Sequence, residues 1–237
     1  MNGTRVSVGD YLIQKIFDSG VRHVFGVPGD YILNFYARME KSPLSVINTC
    51  DEQGAGFAAD AYGRKHGLGV VCVTYNVGGL KVINPAGGAY AENSPLLVIA
   101  GAPGRQERQK CPFLHHKIRE YDDQLAIFRH ITVASTDLAD PDTALQEIDR
   151  VISAVIEAKK PGYIEIPRDM VDIIPEREHP VTRNQKPLPP PISHDSTMEA
   201  LGSAINTAEK PVIMAGSGII RHKLSLYLKI LSDKTNI

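Results

Sequence analysis

The sequence predicts an α/β fold: a doubly wound, mostly parallel sheet of about six strands with helices on both faces, followed by the start of a second α/β domain. Three observations carry that reading. Short apolar runs alternate with helix-periodic segments about six times, the pattern of repeated βαβ units. Runs such as "GVVCVTY" and "PLLVIAG" are apolar at nearly every position, as strands are when both faces are covered. Most runs stop at a Gly, Pro, Asp or Asn, where the chain turns into the next helix.

The elements follow in order. Ser7 and Asp10 form a capping-box-like start, and Val8, Leu12, Ile13, Ile16 and Phe17 recur at helical spacing until Gly20 stops the helix. "VRHVFGVPGD" is a short apolar strand that breaks over Gly26–Gly29, with Asp30 expected as the N-cap of a helix over about 30–40. "LSVINT" is strand-like, and 52–66 reads as an Ala-rich helix. "GVVCVTY" is a buried strand, a helix is expected within about 79–91, and "PLLVIAG" and "HITVAST" are further strands. "DPDTALQEIDRVISAVIEAKK" is a capped amphipathic helix, and "GYIEIP" closes the unit. Residues 101–120 form a connection long enough to suggest a functional loop.

The stretch from Pro175 to Asp195 holds six of the 16 prolines and no periodicity. It divides the chain into a first domain over 1–175, a linker over 176–194 and the beginning of another domain over 195–237. That last part reads as helix 195–208, strand "PVIMAGSG" and a helix from about 222, too little to bury a core alone.

Composition narrows the function. With 26 basic and 27 acidic residues in 237, no charge block suggests nucleic acid or an anionic membrane. Cys50, Cys72 and Cys111 form no CxxC pair, so neither a disulfide framework nor a zinc knuckle is expected, and the sparse count fits a reducing cytoplasm. "MNGTRVSVGD" lacks a signal-peptide core, and no apolar run approaches the ~18 residues of a membrane helix.

Ligands of such sheets bind outside the carboxyl ends of the strands. Asp30 and Glu52 fall on that rim. Glu52 reads either as an acid complementing a helix N-terminus or as a carboxylate held against a ligand by the small residues behind it. His115-His116 reads as a solvated loop pair or as a proton relay over the site; the two side chains are expected to diverge, so no metal is assigned to them. "GVPGD" is a tight turn lacking the Lys of a phosphate loop, and "AGSGIIR" is only a fragment of a dinucleotide fingerprint.

Together, "GVPGDYILNFY", "DEQGAGFAADAYGR", "VTYNVGGLKVIN", "GGAYAENSPLLVIAGAP", "LHHKI" and "PGYIEIPRDM" resemble, in order and spacing over about residues 5–175, the pyrimidine-binding domain of thiamine-diphosphate-dependent 2-oxo acid decarboxylases acting on pyruvate, indolepyruvate or phenylpyruvate. The resemblance implies thiamine diphosphate and Mg²⁺ as cofactors, a 2-oxo acid substrate and a dimer or tetramer. It makes 195–237 the start of the family's middle domain. Glu52 matches the glutamate that hydrogen-bonds N1′ of the aminopyrimidine. Asp30, His115 and His116 match residues of substrate binding and proton transfer, and Pro28, Thr74 and Val77 match positions beside the pyrimidine. The Gly-Asp-Gly diphosphate motif is missing from this sequence, so the resemblance places it, with the Mg²⁺ ligands, in another domain or a complementary subunit. Lys81 and Pro85 depart from the small or apolar residues usual in their helix, which puts dimer packing in doubt, and Pro85 is expected to kink that helix. An acetolactate-synthase-like carboligase and a detached, non-catalytic module that binds a partner chain stay open; the His pair argues against the first.

Overall fold

The computed structural model describes residues 5–110, 113–176 and 195–237. The chain divides into two compact units, Met1–Pro180 and Val181–Ile237. The expected linker, apart from Glu176, and Cys111 lie outside the described residues.

The first unit carries β1 (His23–Gly26), β2 (Ser45–Asn48), β3 (Gly69–Val73), β4 (Leu96–Ala102), β5 (Ala134–Asp137) and β6 (Gly162–Pro167). They form one six-stranded sheet in the order β2-β1-β3-β4-β6-β5, and every neighbouring pair is parallel. Its helices are α1 (Val8–Asp18), α2 (Leu33–Met39), α3 (Glu52–His66), α4 (Ile83–Ala91), α5 (Arg105–Lys110), α6 (Asp123–Ile131) and α7 (Pro141–Ala158).

Strand periodicity divides the core. Successive side chains of a strand point to opposite faces. Val70 and Cys72 of β3, Leu97 and Ile99 of β4, and Ile164 and Ile166 of β6 pack with α1, α2 and α7. The intervening Val71 and Val73, Leu96, Val98 and Ala100, and Tyr163 pack with α3, α4 and α6. Both faces are therefore covered, which explains the unbroken apolar runs.

Local chemistry sets the boundaries. Ser7 caps α1 by accepting from Asp10 N, and Asp140 caps α7 with Pro141 in its first turn. Gly67, left-handed at φ +101°, ends α3. Three expectations are corrected. Asp30 does not cap α2: the Ile32 amide donates to Gly29 O at 2.9 Å, the resulting turn occupies the next residues, and the helix begins at Leu33. The helix expected within 79–91 is α4, entered through a 3-10 turn over Gly79–Val82. Pro85 falls in the first turn of α4, where a missing N–H breaks no intrahelical bond, so no kink in the helix interior is imposed. His130 and Ile131 of "HITVAST" end α6, a helix the sequence reading missed, and only Ala134–Asp137 are strand.

The second unit contains α8 (Asp195–Thr207), α9 (Gly218–Arg221) and α10 (Ser225–Thr235). "PVIMAGSG" is not a strand there; Val212 and Met214 are exposed. A strand forms only where its backbone groups pair with a neighbour, and the described residues of this unit offer none.

Candidate active site

The strand order reverses between β1 and β3, and their carboxyl ends open the crevice where α/β sheets bind ligands. Four connections converge on this rim. They lead from β1 to Asp30, from β2 to Glu52, from β3 to Thr74–Val77, and from β4 through Pro103–Asp122 past His115 and His116.

Glu52 is the first residue of α3. Asp51 takes the capping role, its carboxylate accepting from Gly54 N at 2.9 Å, which leaves the Glu52 carboxylate free of the helix terminus. The side chain is only 14% exposed, and Lys81 Nζ lies 3.0 Å from its Oε2. The hydrogen bond to Glu52 raises the Lys81 pKa. Small residues bring the two elements together: a Cβ on Gly56 would collide with the Pro85 ring and crowd Val82. The Ala- and Gly-rich face of α3 is thus packed closely against α4 and the turn that carries Lys81.

Because Asp30 does not cap a helix, its carboxylate is available, and it contacts Nε2 of His115. The other side of the His115 ring fixes the protons. Tyr31 stacks on the imidazole with ring centroids 4.8 Å apart, and its hydroxyl lies 3.0 Å from the His115 carbonyl oxygen and 3.1 Å from His115 Nδ1. A carbonyl can only accept, so the single hydroxyl proton goes to it. The hydroxyl must then accept from Nδ1–H. This assigns the Nδ1–H tautomer by proton inventory. His115 Nε2 is then the ring atom that faces the Asp30 carboxylate. Burial and the Asp30 charge raise the Tyr31 pKa, which keeps the hydroxyl protonated.

His116 adopts a left-handed backbone, φ +66°. Asn76 Nδ2 donates to its carbonyl oxygen at 2.6 Å, tying the loop to the end of β3. The fold-back places the two imidazoles 4.7 Å apart, edge to face, instead of letting them diverge as the sequence reading expected. Asp30, His115 and His116 each offer one donor atom, and these atoms all lie within 4.8 Å of one another. The Nδ1 of His116 is buried and has no hydrogen-bond partner among the described residues.

The loop has further anchors. Tyr75 Oη donates to Tyr121 O at 2.7 Å, and Arg168 pairs with Glu107, whose carboxyl it holds below the usual range. Arg108 reaches Asp137 at 2.6 Å and the buried Glu165 at 3.3 Å. A cleft of about 670 Å³ opens beside Asp30, bordered by Asn34, Arg105 and Arg168.

The structure thus brings Asp30, His115 and His116 together, while Glu52 is joined to Lys81. Thr74 is buried against Gly29, where a Cβ would lie 2.6 Å from the Thr74 Cβ, and its hydroxyl has no partner among the described residues. Pro28 and Val77 are exposed on the same rim. Sequence reasoning missed Tyr31, Asn76 and Arg108 as positioning residues. Only the placement of Tyr31 directly after Asp30, and of Asn76 in a turn, could have hinted at the first two.

Residues 6–127 match the family described as thiamine pyrophosphate enzyme, N-terminal TPP binding domain. The chain belongs to the thiamine pyrophosphate enzyme family. It is 34% identical to an indole-3-pyruvate decarboxylase of Azospirillum brasilense, over 98% of this chain and 42% of that protein. Identity is 35% with a pyruvate decarboxylase of Aspergillus parasiticus, over 90% of this chain and 38% of that one. It is 42% with an alpha-keto-acid decarboxylase of Mycobacterium bovis, over 69% and 30%. The chain spans about two fifths of the length of the first two.

The rim residues fit the polar ring of that family's cofactor. Oε1 of Glu52 has no hydrogen-bond partner among the described residues, since the pair with Lys81 uses Oε2. Buried, unpartnered oxygens of Thr74 and Asn76 stand at the end of β3. Among the described residues, no helix is long and apolar enough to cross a membrane.

Proposed function

We propose that the protein is a thiamine-diphosphate-dependent decarboxylase that converts a 2-oxo acid to an aldehyde, with this chain supplying the pyrimidine half of the cofactor site. The observation that carries the reading is the convergence of Asp30, His115 and His116 on the rim that also holds Glu52. Thiamine diphosphate, when bound, supplies the electron sink that lets a 2-oxo acid lose carbon dioxide.

The chain's own groups do the rest. Glu52 presents Oε1 to the aminopyrimidine N1′, and Thr74, Val77 and Pro28 border the ring. Asp30 and His115 hold one proton between them, and Tyr31 keeps the imidazole in the tautomer that can pass it on at Nε2. His116 extends the polar surface over the cleft. We further propose that Mg²⁺ and the diphosphate are held by residues outside this sequence. On this reading residues 1–175 are the pyrimidine domain, 176–194 a linker and 195–237 the beginning of the middle domain. The working assembly is a cytoplasmic dimer or tetramer, or a pair with a complementary chain.

The test is to supply the diphosphate-binding part with Mg²⁺ and cofactor, and to follow aldehyde from pyruvate, phenylpyruvate and indolepyruvate. Glu52→Gln should lower the rate by at least about a hundredfold, the usual scale for a group acting on a reacting proton. An unchanged rate refutes the role of Glu52. Acetolactate or acetoin formation outpacing aldehyde would reassign the protein as a carboligase.

A further inference from the structure

We propose that Asp30, His115 and His116 form a binding site for a divalent transition ion of the zinc class, and that an ion held there blocks the proposed proton delivery. The binding claim stands on geometry alone; the blocking claim rests on the functional reading above.

Donor type comes first. One carboxylate and two imidazoles suit zinc, cobalt or nickel, whereas magnesium prefers oxygen ligands and keeps its waters. Geometry follows. Three ligands of a tetrahedral ion, each about 2.0–2.2 Å from it, lie about 3.3 Å from one another. The three donor atoms here already lie within 4.8 Å of one another, on side chains that are exposed or half-buried and so have room to adjust.

The surroundings are set for a ligand. A metal-bound imidazole usually donates its other ring N–H to a fixed partner. His115 already does so through Nδ1–H to the Tyr31 hydroxyl, which is itself fixed by donating to the His115 carbonyl. Nε2 therefore faces the Asp30 carboxylate as a potential ligand atom. His116 makes no side-chain hydrogen bond among the described residues, so recruiting its ring breaks none. Its left-handed backbone, pinned by Asn76, holds it beside His115. An ion bonded to Asp30 and His115 Nε2 would engage the two atoms to which the functional reading above assigns the transferred proton.

The purified 237-residue chain is titrated with CoCl2, followed by visible absorption, and with ZnCl2 and MgCl2 by calorimetry. The expected result is one zinc or cobalt ion per chain with tetrahedral cobalt bands, and markedly weaker magnesium binding. Asp30→Asn, His115→Gln and His116→Asn should each weaken the ion by at least about tenfold, while His130→Gln, on the exposed end of α6, should not. Asn tolerates the left-handed backbone, so the His116 variant keeps the loop geometry. Absent cobalt bands, magnesium binding as tight as zinc, or affinity unchanged in the three variants would overturn the site. A second arm measures aldehyde release from the reconstituted enzyme with added ZnCl2 and its recovery with chelator. Zinc that binds as predicted without slowing release keeps the site and removes the blocking claim. Failure to bind zinc, with release still lost in His115→Gln, removes the site and leaves the functional reading standing.

Discussion

Replacing Glu165 by Gln should abolish a specific loss of stability between about pH 4.5 and pH 7. Glu165 is 1% exposed on β6, between Arg108 and the Tyr163 hydroxyl, which donates to it at 2.6 Å. Arg108 is closer to Asp137, so one guanidinium faces two buried carboxylates. Burial, reinforced by the charge on Asp137, pushes the Glu165 pKa from 4.5 up to about 7. Protonated Glu165 leaves one guanidinium facing one carboxylate, so the cluster is neutral. The sign follows: between pH 4.5 and 7 the folded chain binds this proton and the unfolded chain does not. The stabilisation contributed by this group is therefore fully present below pH 4.5, falls as pH rises, and is lost above 7. A shift of about 2.5 units at about 1.4 kcal/mol each gives a loss on the order of 3 kcal/mol. A glutamine side chain in this place cannot ionise. Near-UV circular dichroism in urea reads the first unit, because eight of the nine tyrosines precede residue 181. The stability of the native chain relative to Glu165→Gln should drop through this window. A difference that stays flat from about pH 4.5 to about pH 7.5 refutes the assignment of the proton to Glu165.

Tyr31→Phe removes the acceptor of His115 Nδ1–H; ¹⁵N spectra should show His115 sampling the Nε2–H tautomer, with about 1–2 kcal/mol of stability lost for two partly buried hydrogen bonds. An unchanged tautomer would contradict the proton inventory. Lys81→Met should leave the melting midpoint nearly unchanged, since the ammonium is half-exposed, yet tighten the cofactor dependence of a reconstituted enzyme by removing a cation that competes for the Glu52 carboxylate. Weaker cofactor dependence would instead show that the lysine assists. Phe128→Ala empties a fully buried position stacked on Tyr163 at 4.2 Å and should cost about 3–5 kcal/mol by denaturation; a cost below about 1 kcal/mol would mean that the α6 face of the sheet is not packed as described.

The sheet was legible because its physics is periodic. β3 and β4 are apolar throughout and β6 is apolar apart from Glu165, and their alternate apolar residues divide between two helical layers. The rim was legible because strands followed by Gly, Pro or Asp must turn at their carboxyl ends, which put Asp30 and Glu52 on one side. What stayed hidden depends on contacts distant in sequence. α6 has a short apolar pattern, Leu125 and Phe128, that also suits a strand end. "PVIMAGSG" has strand composition without a neighbour to pair with among the described residues. The partnership of Lys81 with Glu52 spans 29 positions, and that of Tyr31 with His115 spans 84.

The His pair shows why local reading fails at a site in particular. Adjacent side chains diverge on an extended or helical backbone, which made a shared metal ion for His115 and His116 look unpromising. A left-handed φ at His116 reverses that, but the conformation is costly for a residue with a Cβ and must be held from outside. The restraints come from separate elements: Asn76 after β3 grips the His116 carbonyl, Tyr31 after β1 grips His115 from both ends, and Arg108 fastens the start of the loop to β5 and β6. Each is a strand-end residue or is anchored by one. The parallel sheet brings those ends to one rim, so it sets the loop geometry that no run of neighbouring residues could encode. It follows that Asn76→Ala, far from the loop in sequence, should disturb the His115–His116 arrangement more than a substitution at the adjacent Ile118, which is 55% exposed. Histidine ring shifts in NMR spectra would register the difference, and equal effects would mean that the loop holds its shape unaided.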